Sequence, residues 1–89
     1  MVTVSVTDHL RREGFAGPWS VPAGDLRAVL ESLFRVEPRM RAYVVDDQGA
    51  LRRHVAVFVD GTAVTDRIRL AVPVPDDAEV HLLQALSGG

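Results

Sequence analysis

The chain has 89 residues, of which 47% are hydrophobic and 25% are charged, with 12 acidic and 10 basic side chains. This length fits one small domain in which most apolar side chains must serve a single core. The sequence contains no cysteine, and all ten basic residues are arginine. These absences exclude disulfides, cysteine-ligated metals, thiolate chemistry and lysine Schiff bases.

The charge pattern and the N-terminal segment exclude two further classes of partner. The net charge is −2, and the arginine clusters at 11–12, 35–41 and 52–53 are interspersed with acids and are interpreted as solvated surface. A nucleic-acid partner would need a concentrated basic face. Residues 1–8 resemble no signal peptide, and no apolar run reaches the roughly 18 residues of a membrane span. We therefore expect a cytoplasmic protein with no nucleic acid and no membrane partner.

The first 36 residues predict strand, connection and helix. Residues 2–7 alternate apolar and polar side chains, which indicates a strand with one buried face. Residues 8–24 are rich in glycine and proline and predict a connection, in which 19–21 can form a short second strand. Residues 25–35 carry leucine and valine at helical spacing, and Asp25 is suited to cap the helix N-terminus.

The next segment predicts a turn followed by a hairpin strand. Residues 42–45 form a short apolar run that ends in a polar, glycine-terminated turn at 46–49. Residues 54–59 alternate again and predict a strand. The pair Asp60-Gly61 follows directly, and this pair is a strong hairpin signal because glycine supplies a positive φ and aspartate tolerates one.

The last third of the chain predicts an edge segment, a turn and a final strand. Residues 72–75 contain two prolines, which cannot donate to a ladder and therefore indicate irregular or edge structure. Residues 76–79 predict a turn, and residues 80–85 predict the last strand. One main helix covering a mixed sheet is an α+β layout.

Candidate catalytic and metal-binding side chains do not cluster in the sequence. The three histidines, His9, His54 and His81, lack metal-ligand spacing and are interpreted as ordinary surface or partly buried residues. The acidic pairs at 46–47 and 76–77 lie in predicted turns, where aspartate commonly bonds the local backbone. The sequence therefore predicts no catalytic residue and no metal site.

The sequence ends in Ser87-Gly88-Gly89, directly after the last predicted strand. Two interpretations are open: a tail without a role, or a tail that enters a narrow channel, since glycine has no Cβ. In the second case the Gly89 carboxylate is the reactive group. A C-terminal carboxylate has a pKa of about 3.5 and is a poor electrophile at neutral pH. It would need activation by a partner.

Three features together resemble the ubiquitin-like β-grasp sulfur carriers of the MoaD/ThiS family over nearly the whole chain. They are the segment Leu51-Arg52-Arg53-His54-Val55-Ala56-Val57-Phe58-Val59-Asp60-Gly61, the segment Pro73-Val74-Pro75-Asp76-Asp77-Ala78-Glu79-Val80, and the terminal Ser87-Gly88-Gly89. The resemblance implies a mixed sheet packed on one main helix. It also implies a β-grasp domain at 1–86 and a flexible Gly-Gly tail at 87–89.

The resemblance further implies a function that depends on partner enzymes. An enzyme of the ubiquitin-activating type would use ATP to adenylate Gly89, next to Gly88, and sulfur would then replace AMP to give a thiocarboxylate. The chain itself would be no enzyme and bind no cofactor. It would deliver sulfur to a biosynthetic enzyme of the molybdopterin, thiamine, cysteine or a related pathway. Residues 84–87 depart from the family pattern, and 46–53 is similar to longer members, some of which feed cysteine synthesis.

The alternation of the predicted strands also predicts a docking surface. If the valines of 55–59 face the helix, Phe58 and Leu83 point outward and, with Ser87, contact a partner. The alternative is a second small cluster beneath the 8–24 connection. Two other functions remain open: a ubiquitin-like modifier conjugated through Gly89 to target lysines, and a non-covalent β-grasp binding module.

Overall fold

The computed structural model describes residues 1–84, apart from the side chain of Asp8. The tail predicted at 87–89 lies outside the described residues. Within residues 1–84 no helix is long and apolar enough to cross a membrane. The elements, in chain order, are β1 (Val2–Val6), α1 (Asp8–Arg12), β2 (Trp19–Val21), β3 (Gly24–Asp25), α2 (Leu26–Val36), α3 (Met40–Val44), β4 (Val55–Val59), β5 (Thr62–Ala63), β6 (Pro73–Val74) and β7 (Glu79–Gln84).

The main sheet has five strands in the order β2-β1-β7-β4-β5. The pair β1 and β7 is parallel, whereas β1 with β2, β7 with β4, and β4 with β5 are antiparallel. Strands β3 and β6 form a separate two-stranded ribbon. This mixed sheet confirms the α+β β-grasp layout.

Helix α2 begins where the sequence predicted. The Asp25 side chain accepts a hydrogen bond from the Ala28 backbone N–H at 2.8 Å, which satisfies one of the free donors of the first turn. The helix ends at Val36, two residues before Pro38. Its apolar face is buried against the inner face of the sheet, and it consists of Leu26, Val29, Leu30, Leu33 and Phe34.

The hairpin between β4 and β5 is confirmed. Asp60 has φ 47° and Gly61 has φ 83°, the left-handed conformations of a two-residue turn. The turn sets Phe58 opposite Ala63. The proline segment is confirmed as edge structure, since only Pro73–Val74 pairs, with Gly24–Asp25.

Two short helices were not predicted. Helix α1 occupies the start of the 8–24 connection, where a single turn carries Leu10 into the core at 0% exposure. Helix α3 covers most of the apolar run at 42–45, because Met40 and Val44 lie four residues apart and share one buried face. Neither segment is long enough for its periodicity to show in sequence.

Candidate functional site

The described part of β7 ends at Gln84. Gln84 pairs with Val55 at the start of β4. On the other side, the Thr7 backbone N–H donates to the Leu82 carbonyl at 3.2 Å, so β1 also ends here. The described end of β7 therefore lies between α1, which follows β1, and the turn at 52–54, which precedes β4. We call this the tail-exit end, defined by residues 7–13 and 52–54.

The residues that the resemblance assigns to sulfur chemistry follow this point. Ser87, Gly88 and Gly89 lie outside the described residues. Their predicted roles therefore stay predictions. The structure does define the strand that leads to them and the side chains that surround its end.

The outer face of the sheet, which points away from α2, carries a row of side chains across four strands. The register places Ser5 beside His81, His81 beside Phe58, and Phe58 beside Ala63. Leu83 lies in the next outward position of β7. This face therefore combines apolar and polar groups, with Phe58 near its centre.

The strand alternation that predicted this face is confirmed. Val57 and Leu82 point inward and are 1% and 0% exposed, whereas their neighbours Phe58 and Leu83 are half-buried and lie outside the core. The outward direction of Phe58 and Leu83 is thus established. That they contact a partner stays a prediction.

In the acidic pair at the 46–49 turn, Asp46 stabilises the local backbone, as interpreted from the sequence. The Asp46 carboxylate accepts hydrogen bonds from the backbone N–H groups of Gln48 at 2.9 Å and Ala50 at 3.0 Å. The other pair lies at the start of β1, where Asp76 forms an ion pair with the Met1 ammonium. This contact lowers the Asp76 pKa. Among residues 1–84, no three His, Asp or Glu side chains are placed to hold a metal ion.

An open groove of about 620 Å³ lies beside α3 and the 46–49 turn. Its two arginines are already engaged. Arg41 donates to the Glu31 carboxylate and lowers its pKa, and Arg52 Nε donates to the Ala42 carbonyl at 2.6 Å. These contacts hold helices and turns together, and the groove gathers no nucleophile with a base.

One feature of the tail-exit end was missed in the sequence. Arg11 and Arg12 on α1 and Arg53 before β4 are all exposed, and the topology brings them to the same end of the molecule. They were interpreted as solvated surface because about 40 residues separate the two clusters. The signal that could have placed them together is the pairing of β1 and β4 with the same strand, which only the β-grasp topology provides.

No family model matches the chain, and no curated protein matches it. Solved structures do. CysO from Mycobacterium tuberculosis is 27% identical with a TM-score of 0.80, covering 97% of this chain and 100% of CysO. A chain of the Amycolatopsis orientalis BexX/CysO complex is 25% identical with a TM-score of 0.79, and the coverage is 100% of both chains.

The fold is shared with archaeal proteins as well. SAMP1 from Haloferax volcanii is 21% identical with a TM-score of 0.79, and the match covers 99% of this chain and 98% of SAMP1. At this identity the likeness establishes the fold alone. The resemblance stated from the sequence is confirmed by these matches, which span nearly the full length of both partners. The chain therefore has the ubiquitin-like β-grasp fold of the MoaD/ThiS type.

Proposed function

We propose that this protein is a cytoplasmic sulfur carrier whose Gly89 carboxylate is converted to a thiocarboxylate by partner enzymes. The observation that supports the proposal most is the full-length similarity to CysO at 27% identity and a TM-score of 0.80. The described part of the chain also gathers no catalytic constellation of its own. A role that depends on partners fits a domain whose apolar side chains are almost all used in one core.

The chemistry proceeds in two steps on the carbonyl of Gly89. A carboxylate oxygen attacks the α-phosphorus of ATP bound by the activating enzyme, pyrophosphate leaves, and an acyl adenylate forms. A sulfur nucleophile at the oxidation level of hydrosulfide then attacks the carbonyl carbon, and AMP leaves with its oxygen. The product carries one sulfur in place of one carboxylate oxygen. The adenylate is needed because the free carboxylate is ionised and resists attack.

In this proposal, Gly88 and Gly89 allow the C-terminus to enter the active site of the activating enzyme. Residues without Cβ can enter a channel too narrow for other side chains, and the backbone can then approach the nucleotide closely. The outer face of the sheet supplies the docking area, with Phe58 and Leu83 contacting the activating enzyme. Ser87, which precedes the two glycines in the sequence, would contact the same enzyme.

For the recipient of the sulfur, we place cysteine synthesis ahead of molybdopterin and thiamine synthesis. The segment 46–53 is similar to the longer members of the family, some of which feed cysteine synthesis. The second candidate function is conjugation of Gly89 to lysines of other proteins. The similarity to SAMP1, a small archaeal modifier protein, favours it.

Intact mass spectrometry separates the two candidates. The chain is incubated with its activating enzyme, ATP and a sulfur source, and a variant without Gly89 is the matched control. We expect the mass increase of one oxygen-to-sulfur exchange in the chain and none in the variant. A product linked to another protein's lysine would support the modifier instead. Neither product, in the presence of an active enzyme, would reject both.

A further inference from the structure

Charge is distributed unevenly between the two ends of β7. The tail-exit end itself carries four exposed arginines, Arg11, Arg12, Arg52 and Arg53, against the two acids Asp8 and Glu13. Two further guanidinium groups reach it, because Arg39 donates to the Glu13 carbonyl and Arg67 donates to the Arg52 carbonyl. Asp46 and Asp47 line a groove with Arg52, so six arginines stand against four acids. His9 and His54 are half-buried at the same end. The local balance of formal charge at pH 7 is therefore positive, although the whole chain carries −2.

The opposite end is acidic. Asp60, Asp76, Asp77 and Glu79 are all exposed there, and the Met1 ammonium pairs with Asp76. Hydrogen bonds place these residues together, since Asp60 N–H donates to the Glu79 carbonyl and Asp77 N–H donates to the Met1 carbonyl. No arginine occurs in residues 1–3, 57–63 or 73–80. The molecule is therefore polarised along β7.

The two ends act separately in a salt solution. Six residues of extended strand span about 17 Å, which is roughly twice the Debye length of about 8 Å at physiological ionic strength. A partner that approaches one end therefore responds to the local charge rather than to the net charge of −2. An acidic surface is attracted to the tail-exit end and repelled by the other.

We propose, on the basis of the function proposed above, that the arginines of the tail-exit end bind an acidic rim on the activating enzyme around the opening that receives residues 85–89. This contact orients the chain so that its C-terminus approaches first. Phe58 and Leu83 then add affinity after the orientation is set.

The maximum reach of the tail favours a protein surface, rather than the nucleotide, as the partner of these arginines. Five residues extend at most about 17 Å, so a tail extended into a channel carries the Gly89 carboxylate about that far from Gln84. The ATP phosphates lie where that carboxylate reacts. With a fully extended tail they would lie up to about two Debye lengths from Gln84, so the protein surface nearest the arginines is the rim of the channel.

The variants Arg12→Glu and Arg53→Glu test the proposal, alone and combined. Both side chains are exposed and neither forms a hydrogen bond within residues 1–84, so the fold is expected to persist. The matched control is Arg69→Glu, which makes the same charge change at an exposed arginine whose carbonyl accepts from Arg27 beside the first turn of α2. Urea unfolding of each variant checks the fold.

The readout is pyrophosphate release with the activating enzyme, measured from low salt to about 0.5 M, where the Debye length falls below about 5 Å. We expect the double variant to lose about tenfold in kcat/KM at low salt with kcat unchanged, and the loss to shrink as salt rises. Arg69→Glu should stay within about twofold.

Several results would overturn the proposal. An equal loss from Arg69→Glu would mean that only net charge matters. A loss in kcat with KM unchanged, a loss that salt does not reduce, or no loss would each exclude an orienting contact. A wild-type chain that is never adenylated would instead reject the proposed function, and this inference with it. Normal adenylation of all variants would reject this inference alone.

Discussion

The inner and outer faces of the five-stranded sheet are built from the same strands and meet different requirements. Val57 and Leu82 point inward and are almost completely buried, whereas the adjacent Phe58 and Leu83 point outward and are half-buried. Alternate side chains of one strand therefore have different roles. Inner residues hold the domain together, and we expect changes of outer residues to cost the fold less.

The difference in burial also indicates where binding energy remains. Complete burial of a large apolar side chain is worth about 1.5–3 kcal/mol, and a side chain such as Leu82 has already gained this on folding. Phe58 and Leu83 have gained only part of it. Under the proposed function, a partner that covers the outer face would supply the rest, and we expect these two residues to be the anchors of the interface.

The largest expected effect comes from a pair of adjacent leucines. Leu82→Ala should lower the free energy of unfolding by about 2–5 kcal/mol, because it leaves a cavity between the sheet and α2. Leu83→Ala removes the same atoms from the outer face and should cost less than about 1 kcal/mol. Urea denaturation measures both. Equal losses would show that the outer face packs as tightly as the inner one.

Phe58→Ala tests the outer face as a binding surface. The variant should weaken affinity for the activating enzyme about tenfold, or about 1.4 kcal/mol, because an aromatic anchor is lost. Titration calorimetry measures the affinity, and Ser20→Ala, an exposed change on the edge strand β2, is the control. If Phe58→Ala instead lowers the free energy of unfolding by more than about 2 kcal/mol and leaves affinity unchanged, the cluster alternative is correct.

For the long strands, the sequence predicts which side chains face inward and which face outward, because apolar and polar residues alternate along them. The valines of β1 and β4 and the leucine of β7 were assigned to the correct face. The core contributions from irregular segments could not be assigned. Leu10 reaches the core from a five-residue helix, and Leu70 reaches it from a loop with φ 56° at 0% exposure. A single buried residue has no period, so only tertiary contacts reveal it.

The candidate site also has one feature that could be predicted from the sequence and one that could not. The outward direction of Phe58 followed from local alternation, which needs no knowledge of strand order. The positive tail-exit end depends on β1 and β4 flanking β7, and those strands are separated by about 50 residues. Charges at 11–12 and 52–53 are adjacent only through that topology. The pattern of a single sequence does not show which strands pair with each other, so it could not bring these arginines together.

A smaller effect is expected at the Asp60-Gly61 turn, which joins β4 to β5. Gly61 has φ 83°, and a Cβ there would meet no atom within 4 Å. The cost of Gly61→Ala is therefore conformational alone, about 1 kcal/mol in the free energy of unfolding. Gly61→Asn should cost less, since asparagine tolerates this region better. Thermal or urea unfolding that ranks asparagine below alanine would contradict this account.

The smallest effect expected is a pH dependence at the loop that presents Leu70 to the inner face. The Asp66 carboxylate accepts backbone N–H bonds from Ala71 at 3.0 Å and Arg69 at 2.9 Å. These bonds favour the charged form and hold the Asp66 pKa below its ordinary value of 3.8. The carboxylate thus supports the backbone on both sides of Leu70, whose left-handed conformation is unusual for a large side chain.

The direction of the pH effect follows from this lowered pKa. The carboxylate contributes stability that is complete above the unfolded-state value of about 4 and is lost as pH falls through the lower folded-state pKa. Asp66→Asn keeps one acceptor oxygen and cannot accept at the second, so it should be less stable than the wild type at pH 7. Unfolding measured from pH 7 to about 3 should show the two proteins converging below about pH 4. A difference that stays constant across that range would mean that the ionisation of Asp66 does not contribute to the stability of this loop.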